Sequence, residues 1–410
     1  MKKFKFFFLL SVFALLLCCG CNKTAGSDEL TFMTWGSESE INIIKEVISD
    51  YEKLYPERKK VKLIHTPQNY FQKLHLYFAS DIAPDVVFLN NIYSGIYINS
   101  GLLEDLTPYF EEELKNNTFY KSSTDSFISE GRLYAVPRDI SDLVIYINKD
   151  IFNKTNTPVP KKFDTLDDLY SVVSRIKTEN NFSVNVEPMP IYWLNFLILN
   201  GGGLLSDDLK EVIITTPEST EALQKYVDLS CKHHFAPTKT EIASKTTAQM
   251  FINGELAMYI SGRWMVPKFR STIKNFDWDV ASFPVSKENK IAVDTSGWAV
   301  SKSSKNKDDA VNFIKYMSGR EVIKKITKQG LIVPARVDVA TSENFLDTQK
   351  PLNSGAFIDI LEFSKPTPVN ENYQFINDIL SETLEDVFSG HRQAKEVLDE
   401  KFKKKLETLL

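Results

Sequence analysis

The chemistry this chain could do starts at a thiol. Gly20 precedes Cys21, behind a positive leader (Lys2, Lys3, Lys5) and a 14-residue apolar run over residues 6–19 that only Ser11 interrupts. A small residue followed by Cys is what lipoprotein processing requires. The thiol takes a diacylglycerol, the chain is cut before it, and the lipid tethers the mature protein to a membrane surface. Cys18 and Cys19 are poorer acceptors, because Leu17 and Cys18 precede them. The apolar run is too short to cross a bilayer as a permanent helix. Residues 1–20 are therefore expected to be a signal peptide, residues 21–28 a tether, and Cys21 the lipidated residue. The body then works outside the cytoplasm, as an anchored lipoprotein at the cell surface or in the periplasm. That setting disfavours ATP and NAD chemistry.

Side chains that could catalyse are sparse elsewhere. Asp139 and Asp142 could in principle form the carboxylate pair of a glycosidase, but nothing around them suggests the tuning of an acid and a base. Ser304 and Lys307 match Ser-x-x-Lys within a polar turn ahead of a helix, where a hydroxyl caps more often than it attacks. His233 and His234 are adjacent, and consecutive helical residues point about 100° apart, which is poor geometry for zinc. Nucleophile-elbow, zincin, P-loop and dinucleotide-fold motifs are all missing from the sequence. The expectation is a protein that is not an enzyme and uses no metal and no cofactor.

The elements that must position such groups alternate. Residues 30–35 read as a strand with Leu30, Phe32 and Thr34 on one face. Ser37 and Glu40 have capping-box spacing, and Ile41, Ile44, Ile48, Tyr51 and Tyr55 then recur at helical intervals until Pro56. Residues 61–64 and 85–89 read as strands with a helix over 70–78 between them. This order predicts a parallel, helix-covered sheet. Ligands of such sheets bind beyond the carboxyl ends of the strands, which selects Trp35, residues 65–68 including Gln68, and then Asn90 and Asn91. Later helices are expected over 163–178, 193–200, 219–232, 247–251, 307–318, 320–328, 373–388 and 393–410, with returning strands over 280–283 and 297–300.

The composition supports a globular body. Of 410 residues, 43% are hydrophobic and 25% charged, and removing the leader takes 1–20 out of a chain long enough for two domains. The net charge is −5 and becomes three units more negative once the leader lysines leave, so nucleic acid is not an expected partner. The four cysteines are Cys18, Cys19, Cys21 and Cys231, so the processed chain has no internal disulfide. Cys231 is expected to be a buried small hydrophobe.

Several stretches, in order, resemble one family. They are residues 30–35, 83–88, 101–106, 131–137, 147–150, Gly201-Gly202, 251–258, 261–264 and 297–300, followed by 310–317 and 331–335. The chain resembles the extracellular solute-binding proteins of ABC importers, in the sugar-binding group typified by maltose-binding protein, over nearly all of residues 28–410. The resemblance implies an α/β fold of two lobes. Each would be a mostly parallel sheet flanked by helices, with a ligand cleft between them. Lobe 1 would be residues 28–137 plus 285–333 and lobe 2 residues 138–284 plus 334–410, with crossings near residues 137–141, Pro284 and Pro334.

It further implies a monomer that captures a carbohydrate, closes by hinge motion and delivers it to permease subunits. The implied contacts are Asn90, Asn91 and Tyr93, then Ser141 beside Arg138 and Asp139, then Trp193 and Asn195, then Trp264. Trp35, Ser37 and Gln68 would stand on the first wall, Gly297 and Trp298 on a returning strand, and Tyr373 near Phe375 at a late aromatic position. Arg138 is unusual for the family. It points to an acidic solute if it faces the cleft, and to structure if it pairs with Asp139 or Asp142. Trp278 reads as core.

Overall fold

The computed structural model describes residues 28–285 and 290–410. The signal peptide and the lipidated Cys21 expected from the sequence lie outside the described residues. The strands are β1 (Glu29–Thr34), β2 (Lys60–His65), β3 (Val86–Asn90), β4 (Ile128–Ser129), β5 (Arg132–Leu133), β6 (Val136–Ser141), β7 (Val144–Asn148), β8 (Met258–Ser261), β9 (Trp278–Ala281), β10 (Ile291–Val300), β11 (Val333–Pro334) and β12 (Ser364–Pro366).

The main sheet has the order β11-β6-β10-β3-β1-β2, with β12 added beside the start of β10. β1 runs parallel to β2 and β3, as strand–helix–strand alternation requires. The long β10 then returns antiparallel between β3 and β6. Helix Glu38–Leu54 covers this sheet with Ile41, Ile44, Val47, Ile48 and Tyr51. Only half of the expected capping box forms. The Ser37 hydroxyl accepts from the Glu40 amide at 3.3 Å, while the Glu40 carboxylate turns away to Arg138 at 2.7 Å. A buried guanidinium outbids an exposed backbone amide for that carboxylate.

The second sheet, β8-β7-β9, differs from expectation. β7 is antiparallel to both neighbours, and parallel pairing appears only in the isolated bridges Phe182–Leu256 and Lys162–Ser282. All five residues of β7 are buried. A run buried on both faces suggests a parallel strand, but here helices and loops cover both faces of an antiparallel one. Ile145, Ile147, Met258 and Ile260 face a cluster built with helices Pro190–Leu199, Pro217–Cys231 and Tyr373–Phe388. Tyr146, Tyr259 and Trp278 face the other way, into a cluster continuous with that of the main sheet, so Trp278 is core as expected.

Other expected helices appear with shifted ends. The one containing Trp193 starts at Pro190, where a proline costs no hydrogen bond, and the C-terminal one splits into Ala394–Val397 and Glu400–Glu407. Cys231 corrects its expectation. It is exposed, because the buried stripe of its helix (Ala222, Leu223, Tyr226, Val227, Ser230) leaves the last residue outside. No helix among the described residues is long and apolar enough to cross a membrane.

Candidate functional site

Where β6, β10 and β12 leave the main sheet they form a narrow ribbon toward the second sheet. Directly paired residues of an antiparallel ladder project to the same face, as do residues two apart on one strand. Ser296 pairs with Asn90 on one side and Asp139 on the other, and Asp294 pairs with Ser141. Asn90, Asp139, Ser141, Asp294 and Ser296 therefore form one polar face, and the Asn90 amide nitrogen lies 3.5 Å from the Ser296 hydroxyl. The ladder skips Arg138, which makes it the extra residue of a β-bulge and turns its side chain toward Asp139.

An aromatic run borders this face. The Trp35 ring lies 4.3 Å from that of Phe88 and 5.4 Å from that of Phe71, and Phe71 stacks on Tyr93 at 3.7 Å and 15°. Tyr93 in turn lines a cavity of about 300 Å³ together with Met189, Ile191, Asp294, Tyr373 and Gln374. Each side is set by local structure. Asn90 caps helix Asn91–Asn99 by accepting from the Ile92 amide at 2.9 Å, which fixes Tyr93 in the first turn. Pro190 opens the helix that presents Met189 and Ile191. Tyr373 begins helix Tyr373–Phe388. A second cavity of about 560 Å³, lined by Asn91, Ile98, Asp125 and Thr367 among others, lies across the segment that carries Thr367.

The residues expected from the sequence divide into those at the cavity or its floor and those elsewhere. Tyr93 and Tyr373 line the cavity; Asn90, Asp139 and Ser141 do not line it but share the polar ladder face, here called the floor, with Asp294, which does; Trp35 continues the aromatic run. Trp264 lines neither cavity; it is half-buried in the turn after β8, its ring lying over Gly262 where a Cβ would come within 1.9 Å of it. Ser37 is exposed and spends its hydroxyl on the helix cap, and Gln68 is exposed in the loop after β2.

Four residues stand away from the cavity. Trp193 is 0% exposed and donates its indole N–H to the Pro188 carbonyl at 2.9 Å, so it holds the turn rather than facing a solute. Asn195 is buried and clamps both backbone groups of Ala292, accepting at 2.8 Å and donating at 3.2 Å. Trp298 packs in the core 6.1 Å from Phe88. Gly297 is a packing residue, since a Cβ there would lie 2.4 Å from the Val136 carbonyl oxygen. Trp193, Asn195 and Gly297 sit on helix and strand faces turned away from the cavity, while Trp298 shares the ladder face of Ser296 but is covered by the core around Phe88. Asn91 is also buried, accepting from the Thr295 amide at 2.9 Å.

Arg138 is 6% exposed, lies over the Phe88 ring at 4.2 Å and is paired with Glu40 and Asp139. The paired alternative read from the sequence is the one the structure contains, with Glu40 an addition. Asp142 does not pair with it. That carboxyl is buried without a hydrogen bond, and burial pushes its pKa up to about 8. Asp139 is tied to Arg138 and Asp142 is sealed off, so the two do not form an acid–base pair. Ser304 donates to Asp85 at 2.6 Å and Lys307 reaches Glu104 at 2.6 Å, which are structural duties. Among the described residues no group of His, Cys, Asp and Glu could hold a metal ion.

Sequence reasoning missed Phe71, Met189, Ile191 and Asp294. Asp294 carried a usable signal: it is the one charged residue in the apolar stretch 291–300. Its carboxylate accepts from the Thr367 hydroxyl at 2.7 Å, and burial raises its pKa against that bond. Phe71 carried none, because a helical aromatic is core far more often than a platform.

The family model described as "Bacterial extracellular solute-binding protein" matches residues 35–324. The chain belongs to that family. It is a solute-binding protein of the ABC-transporter type, with the two-lobed α/β fold, and not an enzyme. It is 22% identical to the galactooligosaccharide-binding protein of Bacillus subtilis (strain 168), covering 97% of this chain and 95% of that one. It is 23% identical to a maltooligosaccharide ABC transporter solute-binding lipoprotein of Streptococcus pneumoniae, over 93% of this chain and 90% of that one. Among solved structures, an ABC substrate-binding protein from Listeria monocytogenes in complex with cycloalternan superposes with a TM-score of 0.80 at 26% identity, covering 93% and 98% of the two chains.

Proposed function

We propose that this protein captures a sugar or oligosaccharide between its two lobes and delivers it to the transmembrane subunits of an ABC importer, held at the membrane as a monomer by a lipid on Cys21. The observation that carries the reading is the Trp35–Phe71–Tyr93 run beside a polar floor, opening into a cavity of about 300 Å³. Rings for C–H faces next to acceptors and donors for hydroxyls are the two things a carbohydrate needs from a site. The relatives named for galactooligosaccharides and maltooligosaccharides support the same chemistry. The leader ahead of Cys21 and the lipoprotein among the relatives support the anchor.

In this reading lobe 1 holds the main sheet and lobe 2 the β8-β7-β9 sheet, with the lobes near residues 28–137 plus 285–333 and 138–284 plus 334–410. The ribbon of β6, β10 and β12 is the hinge. Arg270–Asp347 and the Lys350–Asp277 pair tie the segment after Pro334 to lobe 2. An acidic solute loses its motivating residue, because Arg138 already serves Glu40 and Asp139.

The experiment is a thermal-shift screen of the processed chain against a panel of mono- and oligosaccharides, repeated on Tyr93→Ala and Phe71→Ala. A cognate sugar at a hundred times its Kd adds about 2.7 kcal/mol of stability, a shift of a few degrees. Both variants are expected to lose that shift while melting near the wild type without sugar. No shift with any sugar contradicts the reading.

A further inference from the structure

Asp294 is the buried carboxylate of the cavity, and the groups around it leave its charge unanswered. It is 9% exposed and lines the same wall as Ile191 and Tyr373. Its polar neighbours are neutral, the Thr367 hydroxyl at 2.7 Å and the Asn91 amide. Among the described residues lining the cavity there is no Lys or Arg. The other carboxylate lining the cavity, Glu385, is exposed and pairs with Lys239. Lys365, across the Thr367 segment, is taken by Asp207. Arg138, further along the floor, is taken by Glu40 and Asp139.

We propose that Asp294 sets the charge selectivity of the solute site: it accepts hydrogen bonds from hydroxyls of an uncharged solute and turns away sugar acids and sugar phosphates. The proposal rests on the carbohydrate reading of the cavity and adds which carbohydrates enter it. An ionised carboxylate is acceptor-only, and a charge-assisted bond from a hydroxyl is stronger than a neutral one. A solute that supplies such donors replaces the water Asp294 loses on closure. A solute that brings its own anion meets a like charge in a site with no cation to offset it. Burial already works against the Asp294 charge in the open cavity, so each donor counts for more.

The test is calorimetric titration of the processed chain with matched probes: maltotriose, raffinose and galactobiose as neutral solutes, glucuronate, galacturonate and glucose 6-phosphate as anionic ones. The expected result is saturable one-to-one binding of at least one neutral probe and at least 100-fold weaker binding of every anionic one. Asp294→Asn is expected to weaken the neutral probe at least tenfold and to narrow the gap to the anionic probes. The wild-type ranking stands without any variant, which covers the case in which Asp294→Asn does not fold. Neutral binding that Asp294→Asn leaves unchanged, or an anionic probe bound as tightly as the neutral one, overturns this inference alone. Binding of no probe overturns the carbohydrate reading and this inference with it.

Discussion

At the residue scale, the aromatic side chains separate into platforms and pillars, and a truncation distinguishes them. Trp193 is sealed in the core against the β8-β7-β9 sheet with its N–H on Pro188, so Trp193→Ala is expected to cost about 3–5 kcal/mol of stability, read as the drop in urea midpoint. Tyr93→Ala leaves the core intact and is expected to lose solute instead. Both residues have the composition of a sugar platform, and the sequence could not sort them, because the sorting depends on helix phase. Trp35 and Tyr93 were candidates because each follows a strand end, and the structure places both in the aromatic run. Asp142 makes a different prediction. Its folded pKa of about 8 lies above the ordinary carboxylate value, so the folded state keeps a proton that the unfolded chain releases from about pH 4 upward. That contribution to stability is therefore lost as pH rises from about 4 to 8. Asp142→Asn is expected to gain about 1–3 kcal/mol over wild type at pH 8 and much less at pH 5, measured by urea unfolding at the two pH values.

At the scale of elements, the ribbon of β6 and β10 carries both the fold and the site. Arg138, Glu40 and Asp139 tie the first helix to its bulge, all three below 10% exposed. Arg138→Met leaves two buried carboxylates without their partner and is expected to cost about 3–5 kcal/mol, measured by the shift in denaturant midpoint. Had Arg138 been a contact to an acidic solute, the same change would leave stability nearly untouched. Around this ribbon the first helix was readable from period and punctuation, with Ser37 and Pro56 at its boundaries, but helix Asn91–Asn99, capped by Asn90, was not expected, and Pro190 opens its helix three residues before the expected start at 193. Strand direction in the second sheet was not readable. Burial on both faces of β7 reports coverage, and coverage is indifferent to whether neighbours run with or against the strand.

For the whole molecule, β6 and β10 of the main sheet connect along the chain to β7 and β9 of the second sheet, and hinge closure at that ribbon follows if the two walls of the cavity belong to different lobes. Tyr93 comes from the main-sheet side; Met189, Ile191 and Tyr373 come from elements packed on the other cluster. A solute touching both walls favours the closed arrangement by its extra contacts there, which is the only way a ligand shifts such an equilibrium. Small-angle scattering of the processed chain, with and without a saturating sugar identified by the thermal screen, tests this directly. The account predicts a smaller radius of gyration in the sugar-bound protein with no change in mass. A radius unchanged at full saturation would place the solute on one lobe alone and contradict capture between the two.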